Sequence, residues 1–411
     1  MNILQRTMLR LALKGTELKL TDPAGWGVGS TWAKVSVGEQ TQMRIAAAFS
    51  AIRLIAETVG TLPLHLYRKT DQGRVRATDH PAYDLVRYQP NPNMTAAEWK
   101  EAMAVSLATL GQSYNYVGRF ESTGRIFSIQ PVHKSRCRPE VKPDGKVIYH
   151  YTTLQGRQIA LQRQDVCPIR GFGNVGDLEG LAPHHTHAES LALTQAVEKY
   201  ASQFFGSGAR PHGVLLTELS DASAQKAPEE VERIRSKFMQ RVREAWTDGL
   251  LPVLPRGLKY QPIATNNNDA QFIETRKLQI AEIARIYRVP LHMLMEMDKA
   301  SYNNSEQANK HFLDYTLMPY LVRIEQGLGS SLLTPAERRE GLYFEFDTKH
   351  LLRGDSTQRA QFYVSMRTAG AMTQNEIREL ENMDTREGAD DLHVPLNMAP
   401  SDLLRQIQTK E

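Results

Sequence analysis

The stretch from Gln271 to Leu333 constrains the fold more than any other part of the chain. Its apolar residues recur at three- and four-residue steps, which is the spacing of amphipathic α-helices. Val289-Pro290 ends the first helix, because proline disfavours the α-helical region for the residue before it. The stretch therefore predicts two helices separated by a polar loop. The apolar residues that define them are Phe272, Ile273, Ile280, Ile283, Ala284, Ile286 and Tyr287, then Phe312, Leu313, Leu317, Leu321, Ile324, Leu328 and Leu332.

The segment between these helices has no apolar periodicity. Small, polar and turn-favouring residues predict a loop there. The second helix opens at Ser305 and contains Pro319, which removes one backbone hydrogen bond and predicts a kink. The loop consists of Asp298, Lys299, Ala300, Ser301, Tyr302, Asn303 and Asn304.

Composition and charge exclude several classes of protein. The 411 residues, 41% of them hydrophobic and 23% charged, are typical of a soluble globular protein with two or three compact units. The formal net charge of +4 is too small to predict nucleic-acid binding by itself. No apolar run approaches the roughly 20 residues of a membrane span, so no membrane contact is expected. The spacing of Cys137 and Cys167 indicates neither a disulfide framework nor a zinc site, which favours reduced thiols.

Turn residues and periodicity give the first half of the chain a mixed α and β character. Thr95 and Glu98 have the spacing of a capping box, so a helix is predicted to begin there. Glycine-containing turns separate alternating apolar segments across 114–170, which predicts a strand-rich region. The other expected elements are an irregular segment over 21–42, a helix from Ile45 to Gly60, a strand from Leu62 to Tyr67 and a hairpin turn at Asp71-Gln72-Gly73.

The second half opens with a long helix and a small separate unit. The helix is predicted over 183–205, and Gly206-Ser207-Gly208 ends it. It should run antiparallel to the helix at 271–289. Neither helix can bury its whole apolar stripe against the other, so part of each stripe should meet another subunit. The unit between them, 209–268, contains a strand at Gly213–Leu219, a helix at Pro228–Trp246 and an extended stretch at Leu250–Ile263.

Two local patterns are typical of enzymes. The segment from Gly171 to Gly176 spells G-x-G-x-x-G, but a pyrophosphate site needs a helix N-terminus directly at the glycines. The helix starts later, at Pro183, which favours a flexible loop. His184, His185 and His187 cluster at that start without a local Asp or Cys to complete a zinc site. Solvated residues are the simpler interpretation, although further copies of the chain could supply ligands. We predict no catalytic residue, no metal site and no cofactor.

Positive charge concentrates in a few segments, and phosphate affinity depends on such charge because it displaces counterions. The segment from His133 to Arg138 is dense in cations. The helix at 228–246 mixes arginine with glutamate and is typical of a solvated surface. Arg256 and Lys259 have no acid in the surrounding stretch Leu250–Asn268. They suit channel lining or the docking of an acidic partner.

Several segments, taken in order, match one family of viral proteins. The matching pieces are "IAEIARIYRVPLHMLM", "SYNNSEQANKHF" and "LMPYLVRIEQGL", with "PLHLYRKTDQGRVRATDHP", "QPNPNMTAAEWKEAM" and "NEIRELENM" elsewhere. This series resembles the portal proteins of tailed double-stranded DNA bacteriophages, from about Ile45 to Pro400. The resemblance implies an α+β fold, in which an elongated subunit has an α/β wing body, a two-helix stem, a small α/β clip and a helical crown.

The resemblance also implies a division into domains. The arm before the wing is expected to be a basic amphipathic helix or a segment that orders on assembly. The implied ranges are 1–44 for this partly flexible N-terminal arm, 45–182 for the wing, 183–208 and 269–290 for the stem helices, 209–268 for the clip, 291–304 for the channel loop region, 305–353 for the long kinked helix and return strand of the wing, and 354–411 for the crown.

The function that the resemblance implies is structural. Copies would form a ring, commonly of twelve, at one capsid vertex, and double-stranded DNA would pass through it during packaging and ejection. Implied partners are the terminase, a head-completion or adaptor protein, and the major capsid and scaffold proteins. Assembly would take place in the host cytoplasm. The predicted stem subunit interface consists of Leu193, Val197, Tyr200, Ile280, Ile283 and Tyr287, the DNA-channel loop of residues 298–304, and the clip docking site of Arg256 and Lys259.

Two other classes of function are compatible with the sequence. One is a different virion structural protein, from the capsid or the tail. The other is a nucleotide- or metal-dependent nucleic-acid enzyme that uses the glycine loop and the histidines. Ligand titration separates the enzyme from a ring, and electron microscopy separates a ring from other assemblies.

Overall fold

Helices and small antiparallel sheets alternate along the chain, as the sequence predicts for an α+β protein. The computed structural model describes residues 31–33, 35–71, 73–173, 178–206, 213–217, 232–233, 235–238, 240, 258–262, 269–294, 310–348, 356–381 and 383–392.

The helices account for most of the ordered backbone in these ranges. Their bounds are α1 (Glu39–Arg44), α2 (Ala46–Thr61), α3 (Pro81–Arg87), α4 (Ala96–Leu110), α5 (Pro183–Thr186), α6 (Ala188–Gly206), α7 (Asp269–Tyr287), α8 (Met318–Leu332), α9 (Pro335–Arg339), α10 (Ser356–Thr368) and α11 (Gln374–Leu380). Short 3₁₀ turns lie at Lys134–Arg136, Arg163–Asp165 and Leu291–Leu294, and a π-helix at Phe312–Leu317.

Every described strand pairs antiparallel. The strands are β1 (Leu64–Thr70), β2 (Gly73–Arg76), β3 (Gln112–Arg119), β4 (Ile126–Val132), β5 (Cys137–Val141), β6 (Val147–Thr152), β7 (Gln158–Leu161), β8 (Val166–Arg170), β9 (Gly213–Thr217), β10 (Leu258–Pro262) and β11 (Leu342–Phe346). The sheets have the strand orders β11-β1-β2, β4-β3-β8, β5-β6-β7 and β10-β9.

The main hydrophobic core forms around α2 and α4, which pack against each other. Residues from α7, the π-helix and α8 complete it. Trp99 of α4 is fully buried, and its ring N–H donates to the side chain of Asn115 on β3 at 2.8 Å. A smaller core around Tyr114 and Tyr149 fixes the sheet β5-β6-β7 to β3. Helix α8 of the main core in turn contacts β8 and β11, which belong to two of the sheets.

Several local predictions are confirmed. The Thr95 hydroxyl accepts from the Glu98 amide at 3.3 Å, and the Glu98 carboxylate accepts from the Thr95 amide at 2.7 Å, which completes the capping box. Helix α7 ends at Tyr287, one residue before Val289-Pro290. Cys137 and Cys167 are both free and buried. Capping and proline geometry are local, so the sequence alone could predict the helix boundaries.

Three elements of the structure differ in detail from the sequence-based predictions. Helix α1 begins at Glu39, inside the segment expected to be irregular. The helix predicted over 183–205 is interrupted at His187, between α5 and α6. Before Pro319 the chain forms a π-helix, in which the Met318 amide donates to the carbonyl of Leu313. The wider π-helical turn accommodates a proline ring that would otherwise clash with the carbonyl four residues earlier.

The buried carboxyl group of Glu325, on α8, makes the stability of the chain depend on pH. Burial raises the pKa of Glu325 from its ordinary 4.5 to about 7, and the Phe346 amide of β11 donates to its Oε1 at 2.8 Å. Between these values the folded chain binds the proton that the unfolded chain has lost. The contribution of Glu325 to the free energy of unfolding should therefore fall as the pH rises from 4.5 towards 7.

Glu325→Gln should remove that part of the pH dependence, because the amide oxygen keeps the Phe346 bond and has no charge to desolvate. Urea unfolding of both proteins between pH 4.5 and 8 measures it. A constant difference between the two proteins across that range would contradict the prediction.

Candidate functional site

Helices α6 and α7 lie side by side, and we call them the helix pair. The Ser190 hydroxyl, near the start of α6, donates to the Glu282 carboxylate, near the end of α7, at 3.1 Å. The start of one helix therefore meets the end of the other, as an antiparallel pair requires. None of the described helices is both long and apolar enough to span a lipid bilayer.

The residues predicted to meet a neighbouring subunit fall into two groups. Leu193 and Tyr200 of α6 are exposed, and Val197 and Ile280 are half-buried. Ile283 is 0% exposed and Tyr287 3% exposed, because both belong to the main core of their own chain. A side chain without accessible surface cannot pack on a neighbour. Their assignment to a subunit interface is therefore wrong.

A buried polar network joins the helix pair to the body. The Tyr287 hydroxyl donates to Gln42 Oε1 at 2.7 Å, and Gln42 Nε2 donates to the Thr109 carbonyl at 3.1 Å. His184 Nδ1 lies 3.0 Å from Gln42 Nε2 and 3.1 Å from the same carbonyl. Because partly satisfied buried polar groups are costly, this network fixes α1, α4, α5 and α7 in one arrangement.

Two of the three clustered histidines are less solvated than the sequence suggests, whereas His187 is exposed. His184 is buried, and desolvation lowers its pKa. Desolvation, and then the neighbouring His184, lower the pKa of His185 to about 4. Both effects favour neutral rings that serve packing and hydrogen bonding. No group of three or more metal-ligating side chains occurs within the described ranges.

The glycine-rich connection has a packing role in the structure. The Gly171 amide donates to the Gly111 carbonyl at 2.8 Å, so it is not free for a phosphate. A Cβ at Gly171 would lie 2.5 Å from the Gly111 carbonyl oxygen, and one at Gly180 would lie 2.3 Å from it. Only glycine permits such a close approach of three backbone segments. Of the G-x-G-x-x-G run, residues 174–176 lie outside the described residues.

The dense basic segment that begins at His133 is engaged within the chain. His133 contacts the Glu39 carboxylate at 3.1 Å, and Lys134 pairs with Glu179 at 2.9 Å. The Arg136 guanidinium donates to the Thr152 carbonyl at 2.8 Å. These contacts connect α1, the loop at Glu179 and the sheet β5-β6-β7 to this segment, and carboxylates pair with two of its basic side chains.

The predicted channel loop and one of the two residues of the predicted clip docking site lie outside the described residues. This applies to residues 298–304 and to Arg256. Lys259 is described as part of β10, where it pairs with Leu216 of β9. The two strands thus pair antiparallel within one chain.

A groove lies where the helix pair meets the body, and we name it the Arg288 groove. It encloses about 470 Å³, and its lining includes Phe172, His187, Arg288, Tyr315 and Arg323. Arg288 has φ of 57°, a left-handed conformation that is unfavourable for residues other than glycine. The Val289 amide donates to the Ala284 carbonyl at 2.9 Å across it, which ends α7.

Sequence reasoning missed three surface residues that the structure makes prominent. Leu278 of α7 is 56% exposed and Trp32 is 94% exposed, and Arg288 carries the left-handed turn. Helical periodicity shows an apolar stripe but does not say which part of it faces solvent. Trp32 lies in a segment without periodicity, so no pattern could identify it.

Sequence comparison relates the chain to known portal proteins. The family model described as "Phage portal protein" matches residues 46–382. The portal protein of Enterobacteria phage HK97 is 31% identical over 360 residues, which cover 86% of this chain and 82% of that protein. The probable portal protein of Streptomyces phage phiC31 is 27% identical, over 94% of this chain and 86% of that protein.

Solved structures show the same fold. The neck of an empty gene transfer agent particle, computed with C6 symmetry, contains a chain that is 25% identical, with a TM-score of 0.57 over 83% of this chain and 90% of that chain. An HK97-family phage portal protein from Corynebacterium diphtheriae is 20% identical, with a TM-score of 0.55 over 76% and 95%. With the family match across most of its length, the chain belongs to the phage portal protein family.

Proposed function

We propose that this protein forms a ring at one vertex of a phage or phage-like particle, through which double-stranded DNA passes during packaging and ejection. The observation that carries the proposal is the family match over 46–382. Further support comes from a relative in the neck of a native gene transfer agent particle computed with C12 symmetry. The terminase, an adaptor protein, and the capsid and scaffold proteins are the proposed partners, and the host cytoplasm is the proposed place of assembly.

In this proposal a separate terminase hydrolyses ATP to drive the DNA, and the portal protein itself catalyses no reaction. Portal proteins are structural proteins, and the contacts at His184 and Gly171 give packing roles to the two enzyme-like patterns. Isothermal titration of the assembled protein with nucleotides and with Zn²⁺ tests this part. Saturable binding with micromolar affinity would contradict it.

Within this proposal, the exposed apolar side chains of the helix pair form the stem interface between subunits. Leu193, Tyr200 and Leu278 are exposed in the single chain, and Val197 and Ile280 are half-buried. Exposed apolar surface on adjacent helices is stabilised when a neighbour covers it. A cyclic ring supplies such a neighbour on both sides of every subunit.

The loop at 298–304 is proposed to line the channel. DNA has to pass without being held, and tight phosphate contacts would slow it. The loop carries one lysine, next to Asp298, among neutral polar residues. Such a surface attracts phosphate only weakly.

Lys299→Ala should leave ring assembly intact and change DNA packaging or retention. The substitution removes one positive charge per subunit, and symmetry repeats the change around the channel. Packaged DNA length and sedimentation of the purified rings measure the two effects. Failure of the variant to assemble would show that the loop is a subunit contact instead.

The unit at 209–268 is proposed as the clip that docks the terminase or the adaptor. The double variant Arg256→Glu, Lys259→Glu should leave the ring intact and weaken docking at low salt. Positive charge accelerates association with an acidic partner, and the double variant reverses that charge. Surface plasmon resonance at two salt concentrations measures this. Equal binding by both proteins would remove these residues from the docking surface.

A further inference from the structure

The sheet β11-β1-β2 has a core face and an outer face. Side chains alternate between the two faces of a sheet, and Leu64, Leu66 and Phe344 belong to the main core. The residues between them point away from that core, and we call them the outer face. They are His65, Tyr67 and Lys69 of β1, Arg74 and Arg76 of β2, and Tyr343 and Glu345 of β11. The outer face therefore combines basic and aromatic side chains on neighbouring strands.

Aromatic rings and one carboxylate hold two cations of the outer face in place. The Arg74 guanidinium lies 4.5 Å from the centre of the Tyr67 ring, and Lys69 Nζ lies 5.8 Å from the centre of the Tyr343 ring. Arg74 also pairs with Glu345, the acidic residue of this face, at 2.5 Å. Side chains that are already restricted in this way lose less conformational entropy when a ligand binds them.

The positive charge of this region is not balanced by carboxylates. Within the described part of the chain, no carboxylate pairs with Lys69, Arg76 or the adjoining Arg87 of α3. Helix α3 lies against one end of the face, where the Tyr83 hydroxyl is 3.4 Å from His65 Nδ1. Desolvation, and then the charges of Arg76 and Arg87, lower the pKa of His65 to about 4. The cations of β2 and of α3 therefore act on the same place.

We propose that the outer face binds the phosphate backbone of duplex DNA through Lys69, Arg76 and Arg87. This contact is separate in the chain from the proposed channel loop, and it rests on the proposed function, which brings DNA to the protein. Arginine, lysine and tyrosine are among the side chains that contact DNA phosphates. Unpaired cations give such a contact its affinity, because they release the counterions that surround the duplex.

The dimensions of the outer face suit a duplex. A strand rises about 3.3 Å per residue, so the face extends roughly 13 Å from His65 to Lys69. About four base pairs of duplex DNA have that length along the helix axis. The charges stand on the exposed side of a sheet, where the convex backbone of a duplex can approach several of them at once. Charge alone would also attract an acidic protein segment, which the experiment distinguishes.

Binding of covalently closed circular plasmid DNA to the assembled protein tests the contact. A closed circle has no end to enter the channel, so it reports on surfaces outside the channel. Filter binding at several salt concentrations compares the unmodified protein with the triple variant Lys69→Ala, Arg76→Ala, Arg87→Ala. Loss of three phosphate contacts should lower the affinity at about 0.1 M salt by roughly 100-fold. It should also flatten the slope of log K against log salt by about two to three.

A matched control removes three cations that do have carboxylate partners. In the triple variant Arg53→Ala, Lys142→Ala, Lys146→Ala, each lost cation is paired in the unmodified chain. The net charge changes equally, but the affinity should stay within about twofold, because distant charges are screened beyond about 10 Å at this salt.

A second variant keeps the charge of the outer face. Lys69→Arg, Arg76→Lys, Arg87→Lys should bind the plasmid like the unmodified protein, because phosphate affinity depends on charge. If the alanine triple variant does not assemble, the three single alanine variants replace it, and each should flatten the salt slope by about one.

An unchanged affinity and slope in the alanine variants, or an equal loss in the matched control, would overturn the inference. Loss of binding by the charge-keeping variant would overturn it as well. Poly-glutamate binding that depends on the three residues, together with unchanged plasmid binding, would assign the outer face to an acidic protein instead. Electron microscopy scores ring formation separately, so absence of rings in the unmodified protein refutes the proposed function, whereas rings with unchanged DNA binding refute this inference alone.

Discussion

Ile283→Asp is expected to unfold the subunit rather than merely prevent assembly. Ile283 is fully buried in the main core, where α7 packs on the body. The substitution removes an apolar side chain and buries a charge without a partner, which together cost about 4 kcal/mol or more. Such a loss is a large fraction of the total stability of a domain. Circular dichroism during urea unfolding measures it.

The matched change is Leu278→Asp on the same helix. Leu278 is 56% exposed, so its replacement should leave the unfolding midpoint close to that of the unmodified chain. If the exposed stripe of the helix pair meets a neighbour, the new charge should stop ring formation, and sedimentation velocity would then show subunits alone. Equal stability of Ile283→Asp and Leu278→Asp would contradict the expected effect of burial at Ile283. Rings from Leu278→Asp would place the subunit interface elsewhere.

Gly111→Ala should destabilise the chain by about 3 to 5 kcal/mol, among the largest effects of a small substitution. Gly111 has φ of 71°, and a Cβ there would lie 2.2 Å from the Leu181 carbonyl oxygen. The added methyl group would push apart the turn between α4 and β3 and the connection between β8 and α5. The buried network at Thr109 and His184 lies next to this contact and should loosen with it.

Gly145→Ala is the control for the backbone conformation alone. Gly145 has φ of 80° with open space around it, so only the left-handed conformation opposes a side chain there. The expected loss is about 1 kcal/mol. Similar losses at the two positions, measured by thermal unfolding, would show that close packing at Gly111 contributes little.

Local sequence signals predict much of this fold correctly. The capping box at Thr95 and the end of α7 before Pro290 depend on residues a few positions apart. The hairpin at Gly73 follows from turn chemistry in the same way. Much of the order of helices and strands can therefore be predicted from the sequence.

The candidate site depends on contacts that local patterns do not contain. Ile283 and Leu278 are both apolar residues of one helix, and only the position of the body decides that the first is buried. His184 is buried because Gln42 and Thr109, far away in sequence, surround it. The left-handed turn at Arg288 gives no signal, because glycine is the residue expected there. Such features follow from tertiary packing.

Electron microscopy of the purified, assembled protein tests the central claim most directly. Negatively stained particles should be rings with an axial hole, and class averages should have cyclic symmetry, commonly twelvefold in this family. Single subunits at concentrations where relatives assemble, or filaments and sheets without an axial hole, would contradict the account.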